Sequence, residues 1–392
     1  MSTSRAGRHF LQIPGPTNVP NRILSAISRP TIDHRSDEFQ ELGLDIFAKL
    51  KRLFRCEASV FVYPSSGTGA WESALVNTLN PGDTILIYET GYFSNRWKSL
   101  AERLGIKVEL LESDWRQPVD SSRIHHTLKK DSENLIKAVC VVHNETSTGV
   151  VSDISGVKRA ITEAEHDALL MVDTISSLGS IDYDHDKLGV DVSIGASQKG
   201  LMLPPGLGFT AASERALKMN ATSKFPRSYW SWEEMQPYCQ KGFFPYTPAT
   251  NLLFGLQEAL KMLLDEVGLE PTFKRHERHA RATRQAISHW GLEMLCQDTA
   301  WASNTLTAVL TPGNVSANSL RKLISEKFDM SLGTGLGKFE DKAFRIGHLG
   351  DFNDLSLAGT LSGVEMGLRL SHIPFNTGGV HAALEYLAGS ID

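Results

Sequence analysis

Two almost uninterrupted apolar runs, IKAVCVVH (residues 136–143) and ALLMVD (168–173), flank a helical stretch from Asp153 to His166. A strand with one face in water alternates apolar and polar residues, so runs of this kind belong to strands covered on both faces. Covered strands joined through helices make a mainly parallel sheet with helices on either side, an α/β architecture. The alternation continues toward the N-terminus. VFVY, TILIY and KVELLE are strand segments, and helices are predicted over Asp37–Phe54, Ala70–Leu79, Ser94–Leu104 and Ser121–Lys130. In the first of these helices Leu42, Ile46, Leu50 and Leu53 recur every three or four residues, the mark of one buried face. Phe10–Pro20 (FLQIPGPTNVP) holds three prolines and a glycine, which predicts an extended arm.

Past about residue 265 the pattern changes. Helices over Asn251–Val267 and His276–Trp290 precede strands near Thr305–Leu310 and Ala343–Ile346, and a pair of helices closes the chain. The expected organisation is an arm over 1–20, a large domain over 21–265 and a smaller α+β domain over 266–392.

A net charge of −5, with acids and bases interspersed, provides no basic face for nucleic acid or an anionic membrane. No stretch reaches the 18 or so consecutive apolar residues of a membrane span. The start, MSTSRAGRH, lacks the apolar segment of a signal peptide, so a cytoplasmic enzyme is expected. Cys56, Cys140, Cys239 and Cys296 include no CxxC pair, which argues against a disulfide framework or a structural zinc site, and no metal is expected.

Ligands of open parallel sheets bind beyond the carboxyl ends of the strands. Four features fall there: the loop Ser65-Ser66-Gly67-Thr68-Gly69 after VFVY, Asn144–Gly149 (NETSTG) after IKAVCVVH, Asp173 closing ALLMVD, and Lys199 in Ser197-Gln198-Lys199-Gly200. Singly, each has an ordinary reading as a helix cap, a solvated loop, a strand-end acid or a surface lysine. On one sheet edge they meet the needs of pyridoxal phosphate: an amine, a carboxylate for the pyridine nitrogen, and a nest of N–H and hydroxyl groups for phosphate. Burial would keep such a lysine neutral and able to attack a carbonyl.

These features sit within IPGPTNVP, FVYPSSGTGAWESALVNTLNPGD, ESDW, VVHNETSTGV, VDTISSLGSIDY, GVDVSIGASQKGLMLPPGLG, PYTPATNLLFGL and FRIGHLG, in order along nearly the whole chain. So ordered, the chain resembles the fold-type I, class V pyridoxal phosphate aminotransferases, and within them is similar to the serine–glyoxylate and alanine–glyoxylate branch. The resemblance implies a Schiff-base role for Lys199 with Gln198 beside it, and Asp173 on the pyridine nitrogen. It places Ser66, Gly67 and Thr68 around the phosphate, Thr146 near the phenolic oxygen, and Ser177 as a further ring-side hydroxyl. Phe93 falls where an aromatic ring stacks on the cofactor; alanine-preferring members usually carry tryptophan there, so this departure leans toward the serine type. Arg345 resembles the fork for the substrate carboxylate.

By the same resemblance, Tyr246 and Thr247 would reach the cofactor phosphate of a second subunit, implying a homodimer with composite sites. Phe244 stands where many members have an aromatic hydroxyl. Gly15 would lie over the substrate, and Arg35 would offer a second cation to the donor side chain. The implied reaction is ping-pong transamination from a small amino acid, serine first and alanine or aspartate behind it, to glyoxylate. The alternatives are pyruvate as acceptor, or a lyase or desulfurase on the same scaffold. None of the four cysteines lies in a Gly/Ser-rich loop of the kind a desulfurase needs.

Overall fold

A computed structural model describes residues 7–313 and 315–390; the first six residues of the expected arm lie outside the described residues. The strands, in chain order, are β1 (Phe10–Gln12), β2 (Ser59–Ser65), β3 (Thr84–Tyr88), β4 (Lys107–Leu111) and β5 (Ile136–Val142). Next come the two-residue pair β6 (Asn144–Glu145) and β7 (Val150–Val151), then β8 (Leu169–Asp173), β9 (Val192–Ala196) and β10 (Gly206–Ala212). Strands β11 (Leu306–Leu310), β12 (Met330–Thr334) and β13 (Ala343–Gly347) follow.

Seven of these strands form one sheet in the order β2-β10-β9-β8-β5-β3-β4. It is parallel except for β10, which runs antiparallel to both β2 and β9. The apolar runs behave as their composition requires. In β8, Leu169 and Met171 enter one core while Leu170 and Val172 enter a second core on the opposite face. Helix Asp37–Phe54, at its expected bounds, seals the first face with Phe39, Leu42, Ile46, Leu50 and Leu53. Its N-cap Ser36 accepts from Phe39 N, and Arg55 ends it in the left-handed conformation.

The second sheet, β1-β12-β13-β11, has its own core around Phe344, Ile346, Leu361 and Trp290. Part of the expected arm belongs to this sheet: Phe10–Gln12 pairs in parallel with Met330–Leu332. From Ile13 the chain leaves the sheet and crosses to the larger one, where Thr17 N donates to Gln198 O and Thr17 Oγ1 to Lys199 O. Among the described residues, no helix is long and apolar enough to cross a membrane.

Histidines buried without charge link this packing to pH. Burial pushes the imidazole of His143 down to about 4 and that of His276 down to about 3. His276 Nε2 accepts from Gly350 N at 3.0 Å, a bond that protonation at that nitrogen would break. Above about pH 6.5 both histidines are neutral folded or unfolded, and the fold keeps its full stability. As pH falls below that value the unfolded chain binds protons that the folded chain refuses. Stability then drops by up to ~1.4 kcal/mol per pH unit for each histidine, until the folded values are reached. The denaturant midpoint is expected to be lower at pH 5.5 than at pH 7.5. His276→Gln, which keeps an acceptor for Gly350 N, should flatten that slope; equal midpoints at the two pH values would contradict this account.

Candidate active site

A cavity of about 240 Å³ opens where β2, β5, β8 and β9 end. Nine of the residues singled out in the sequence line it: Gly15, Ser66, Gly67, Thr68, Phe93, Thr146, Asp173, Gln198 and Lys199. Helix Gly67–Thr78 begins at its wall, three residues earlier than the glycine-rich sequence predicts. Ser66 precedes it in extended conformation but makes no side-chain cap, which leaves the first N–H groups of the helix without a capping side chain among the described residues. An anion would supply an acceptor.

Asp173 ends β8 and is 4% exposed. Its Oδ1 accepts from Ile175 N at 2.7 Å and its Oδ2 from Trp71 Nε1 at 3.1 Å, which fixes the plane of the carboxylate. Burial, with the charge of Glu145 adding to it, pushes its pKa up to about 7. Lys199 lies three residues beyond β9, and its Nζ donates to Pro14 O. Burial, reinforced by the nearby charge of Arg345, pushes the amine down to about 7, so a substantial fraction is neutral at physiological pH. Gly15, at φ +112°, lies against this side chain; a Cβ there would stand 2.7 Å from Lys199 Nζ. Only glycine lets the crossing segment pass so close.

Arg345 projects from β13, buried to 8% exposure. Its Nε donates to Thr334 O at 2.7 Å and its Nη1 to Thr146 O at 2.8 Å. Nη2 and the second Nη1 hydrogen keep no protein acceptor among the described residues, so the end-on edge of the guanidinium is available to a carboxylate. Burial lowers its pKa to about 10, which leaves it charged at neutral pH.

Among the residues not singled out in the sequence, Trp71 and Glu145 shape the site most directly. Trp71 lies four positions after Gly67, on the same helical face, and that spacing was its signal. Glu145, fully buried between two residues that were named, accepts from Phe93 N, Ser94 N, Ser147 N and Ser147 Oγ at 2.6–3.3 Å. It thereby ties the first turn of helix Tyr92–Arg103, and with it Phe93, to the strand end. Burial raises its pKa.

Four of the expected residues, Ser177, Tyr246, Arg35 and Thr247, lie outside this cavity. Ser177 does not line the cavity; its hydroxyl lies 2.9 Å from His143 Nδ1, because the chain turns after Asp173 and carries it beneath the strand ends. Tyr246 and Arg35 line a different cavity, of about 580 Å³, with His34 and Phe244, and Thr247 is exposed beside them. All four cysteines are buried and unpaired, and none lines the Lys199 cavity.

The Lys199 cavity fits pyridoxal phosphate by its own chemistry. It offers an amine, a fixed carboxylate, uncapped N–H groups at a helix start, and Gln198 Oε1, a buried acceptor with no donor from the chain.

Comparison with known proteins agrees. The sequence pattern of the aminotransferase class-V family matches residues 10–337. The serine–glyoxylate aminotransferase of Methylorubrum extorquens is 44% identical over 393 aligned residues, 98% of each chain. The L-aspartate–glyoxylate aminotransferase of Paracoccus denitrificans is 40% identical over 95% of each. Among solved structures, ureidoglycine–glyoxylate aminotransferase from Bacillus subtilis superposes with a TM-score of 0.90 at 26% identity, covering 98% of this chain and 99% of that one.

Proposed function

The chain belongs to the aminotransferase class-V family and is a pyridoxal phosphate-dependent aminotransferase, and from that premise we propose that it moves the amino group of serine to glyoxylate. The observation carrying this reading is a single free guanidinium edge, on Arg345, beside a cavity of about 240 Å³ roofed by Gly15 and Pro16. One anchor and little room suit small monocarboxylic amino acids and a two-carbon oxo acid. The 44% identity to a serine–glyoxylate enzyme supports the same pair.

When bound, pyridoxal phosphate supplies an aldehyde carbon for amine exchange and a ring that spreads negative charge from the substrate α-carbon. The chain does the rest. Ser66 and the N–H groups of Gly67 and Thr68 would hold the phosphate. Phe93, held by Glu145, would stack on the ring, and Thr146 and Gln198 would give it polar contacts. Asp173, oriented by Trp71 and Ile175 N, keeps a proton on the pyridine nitrogen. Lys199 Nζ, neutral through burial, takes the substrate's α-proton and returns it during exchange. Arg345 fixes the substrate carboxylate, and the segment around Gly15 keeps water out.

The reading extends to a homodimer in the cytoplasm, in which Tyr246, Thr247 and Arg35 serve the partner's site. Their position on a separate surface, with Tyr246 stacked on Tyr229 at 4.6 Å, supports this, and four unpaired thiols suit a reducing compartment. Exposed Arg35 also favours a second reading, aspartate as donor, because a partner's guanidinium could meet the second carboxylate.

Half-reactions test the choice. The pyridoxal form, mixed with single amino acids, is expected to react faster with serine than with alanine or aspartate. The aminated form should prefer glyoxylate to pyruvate. Aspartate outpacing serine would replace the donor assignment. Arg345→Lys is expected to raise KM for both substrates about ten- to a hundredfold, since a point charge cannot reproduce the fork. Unchanged KM values would remove Arg345 from carboxylate recognition.

A further inference from the structure

At the opposite end of β9 from Lys199, the fold assembles a second group of chemically apt side chains. Cys56 follows helix Asp37–Phe54, whereas His185 and Asp186 lie in the turn leading to β9, about 130 residues later. Backbone hydrogen bonds set them face to face: His185 N donates to Phe54 O at 3.0 Å and Asp186 N to Arg55 O at 3.2 Å. Asp186 Oδ2 also accepts from Glu57 N at 2.9 Å. As a result one donor atom each from Cys56, His185 and Asp186 lies within 4.8 Å of the other two.

His185 is the informative member. It is 0% exposed, yet its Nε2 has no hydrogen-bond partner among the described residues. Its Nδ1 lies 2.7 Å from Ser193 Oγ, which in turn lies 2.6 Å from Tyr183 OH. In the tautomer that donates Nδ1–H to Ser193, Nε2 turns a bare lone pair toward Cys56 and Asp186. Ligating histidines are oriented in this way, with the far nitrogen donating to a fixed acceptor. A buried lone pair left empty is costly, and a bound cation would satisfy it.

We propose that Cys56, His185 and Asp186 form a binding site for a zinc-class divalent cation, with water as the fourth ligand. Thiolate sulfur, imidazole nitrogen and carboxylate oxygen form a donor set that zinc accepts and that calcium or magnesium does not. Zinc bonds of about 2.0–2.3 Å at tetrahedral angles put donor atoms roughly 3.3–3.6 Å apart. His185 Nε2 and Asp186 Oδ1 already stand 3.9 Å apart. The Asp186 side chain is 45% exposed, so it can close the remaining gap and leaves an open route from solvent. Asp184 and Asp191, with Asp186, add negative charge around His185. Binding forms a Zn–S bond and releases the Cys56 thiol proton to solvent, with no change of oxidation state.

Such an ion would pin the end of helix Asp37–Phe54 to the start of the strand that leads to Lys199, making it a structural clamp outside the chemistry. Such a site would depart from the expectation drawn from cysteine spacing, because its ligands converge through the fold and not through a local motif.

The test uses chelator-washed holoenzyme dialysed against zinc, with metal content and melting temperature measured. About one zinc per chain should be retained, and zinc should raise the melting temperature. Cys56→Ser and His185→Gln should weaken retention by more than the roughly 10- to 100-fold typical of losing an outer-shell partner. Asp186→Asn, at an exposed position, should lose at least about tenfold in affinity while transaminase turnover is unchanged. Cobalt in place of zinc should give visible bands of a tetrahedral thiolate complex that Cys56→Ser abolishes. Absence of stoichiometric zinc in the parent, or equal retention by Cys56→Ser, would overturn the site.

Discussion

Replacing Lys199 with alanine is expected to lower turnover about 10⁴-fold, the upper end of what a positioned proton-transfer group contributes. No other amine lines the cavity, so nothing among its lining residues can take over at the α-carbon. The fold should survive, because the side chain's single hydrogen bond runs to Pro14 O and the backbone O of Lys199 still accepts from Thr17 Oγ1. Borohydride treatment distinguishes the cause: it should fix the cofactor covalently to the parent chain and not to the variant. Substantial residual transamination by Lys199→Ala would remove this lysine from the mechanism. Partial recovery by an added small amine would place the loss in proton transfer and not in folding.

Asp173→Asn is expected to cost about 10²–10³-fold in kcat, comparable to removing one preorganised electrostatic contact from an active site. The reason lies in the two donors that fix the carboxylate. Ile175 N would still find the amide oxygen, at a bond now 2.7 Å long, but the NH2 group would then face the N–H of Trp71, now 3.1 Å from the oxygen it replaces. Two donors opposed in a buried site are unfavourable, and the asparagine carries no negative charge to hold a proton on the pyridine nitrogen. Because Asp173 does not touch the substrate carboxylate assigned to Arg345, KM should move little. An Asp173→Asn enzyme with parental kcat would refute this role; a rise in KM alone would point to displaced substrate.

Much of this was legible because burial on both faces leaves a compositional trace. Within the two apolar runs, Ala138–Val142 and Ala168–Val172 hold no charged or polar side chain to offer water, and their chain positions located the strand ends where Asp173 and Thr146 sit. What stayed hidden depends on distant partners. Strand β10 lies in a glycine-rich stretch with little strand signal, and it forms because β2 and β9 supply hydrogen bonds on both sides. Phe10–Gln12 is a strand only because Met330–Leu332 runs beside it. Glu145 looked like one more polar loop residue until four donors converged on it. Ser177, placed near the ring by resemblance alone, has its hydroxyl 2.9 Å from His143 Nδ1 and does not line the cavity.

The pairing of Phe10 with Met330 bears on how the molecule is made. Ribosomes deliver roughly 5–20 residues per second, so the first strand emerges some tens of seconds before its neighbour. Through that interval the larger sheet can assemble from residues 59–212, while Phe10–Gln12 has no edge to join and the segment that covers Lys199 lacks its anchor at that end. Phe10–Gln12 therefore settles into its sheet only after Met330–Leu332 has been made. If this pairing is what seats the roof over Lys199, the cofactor has a window in which to enter before residues 330–332 are made.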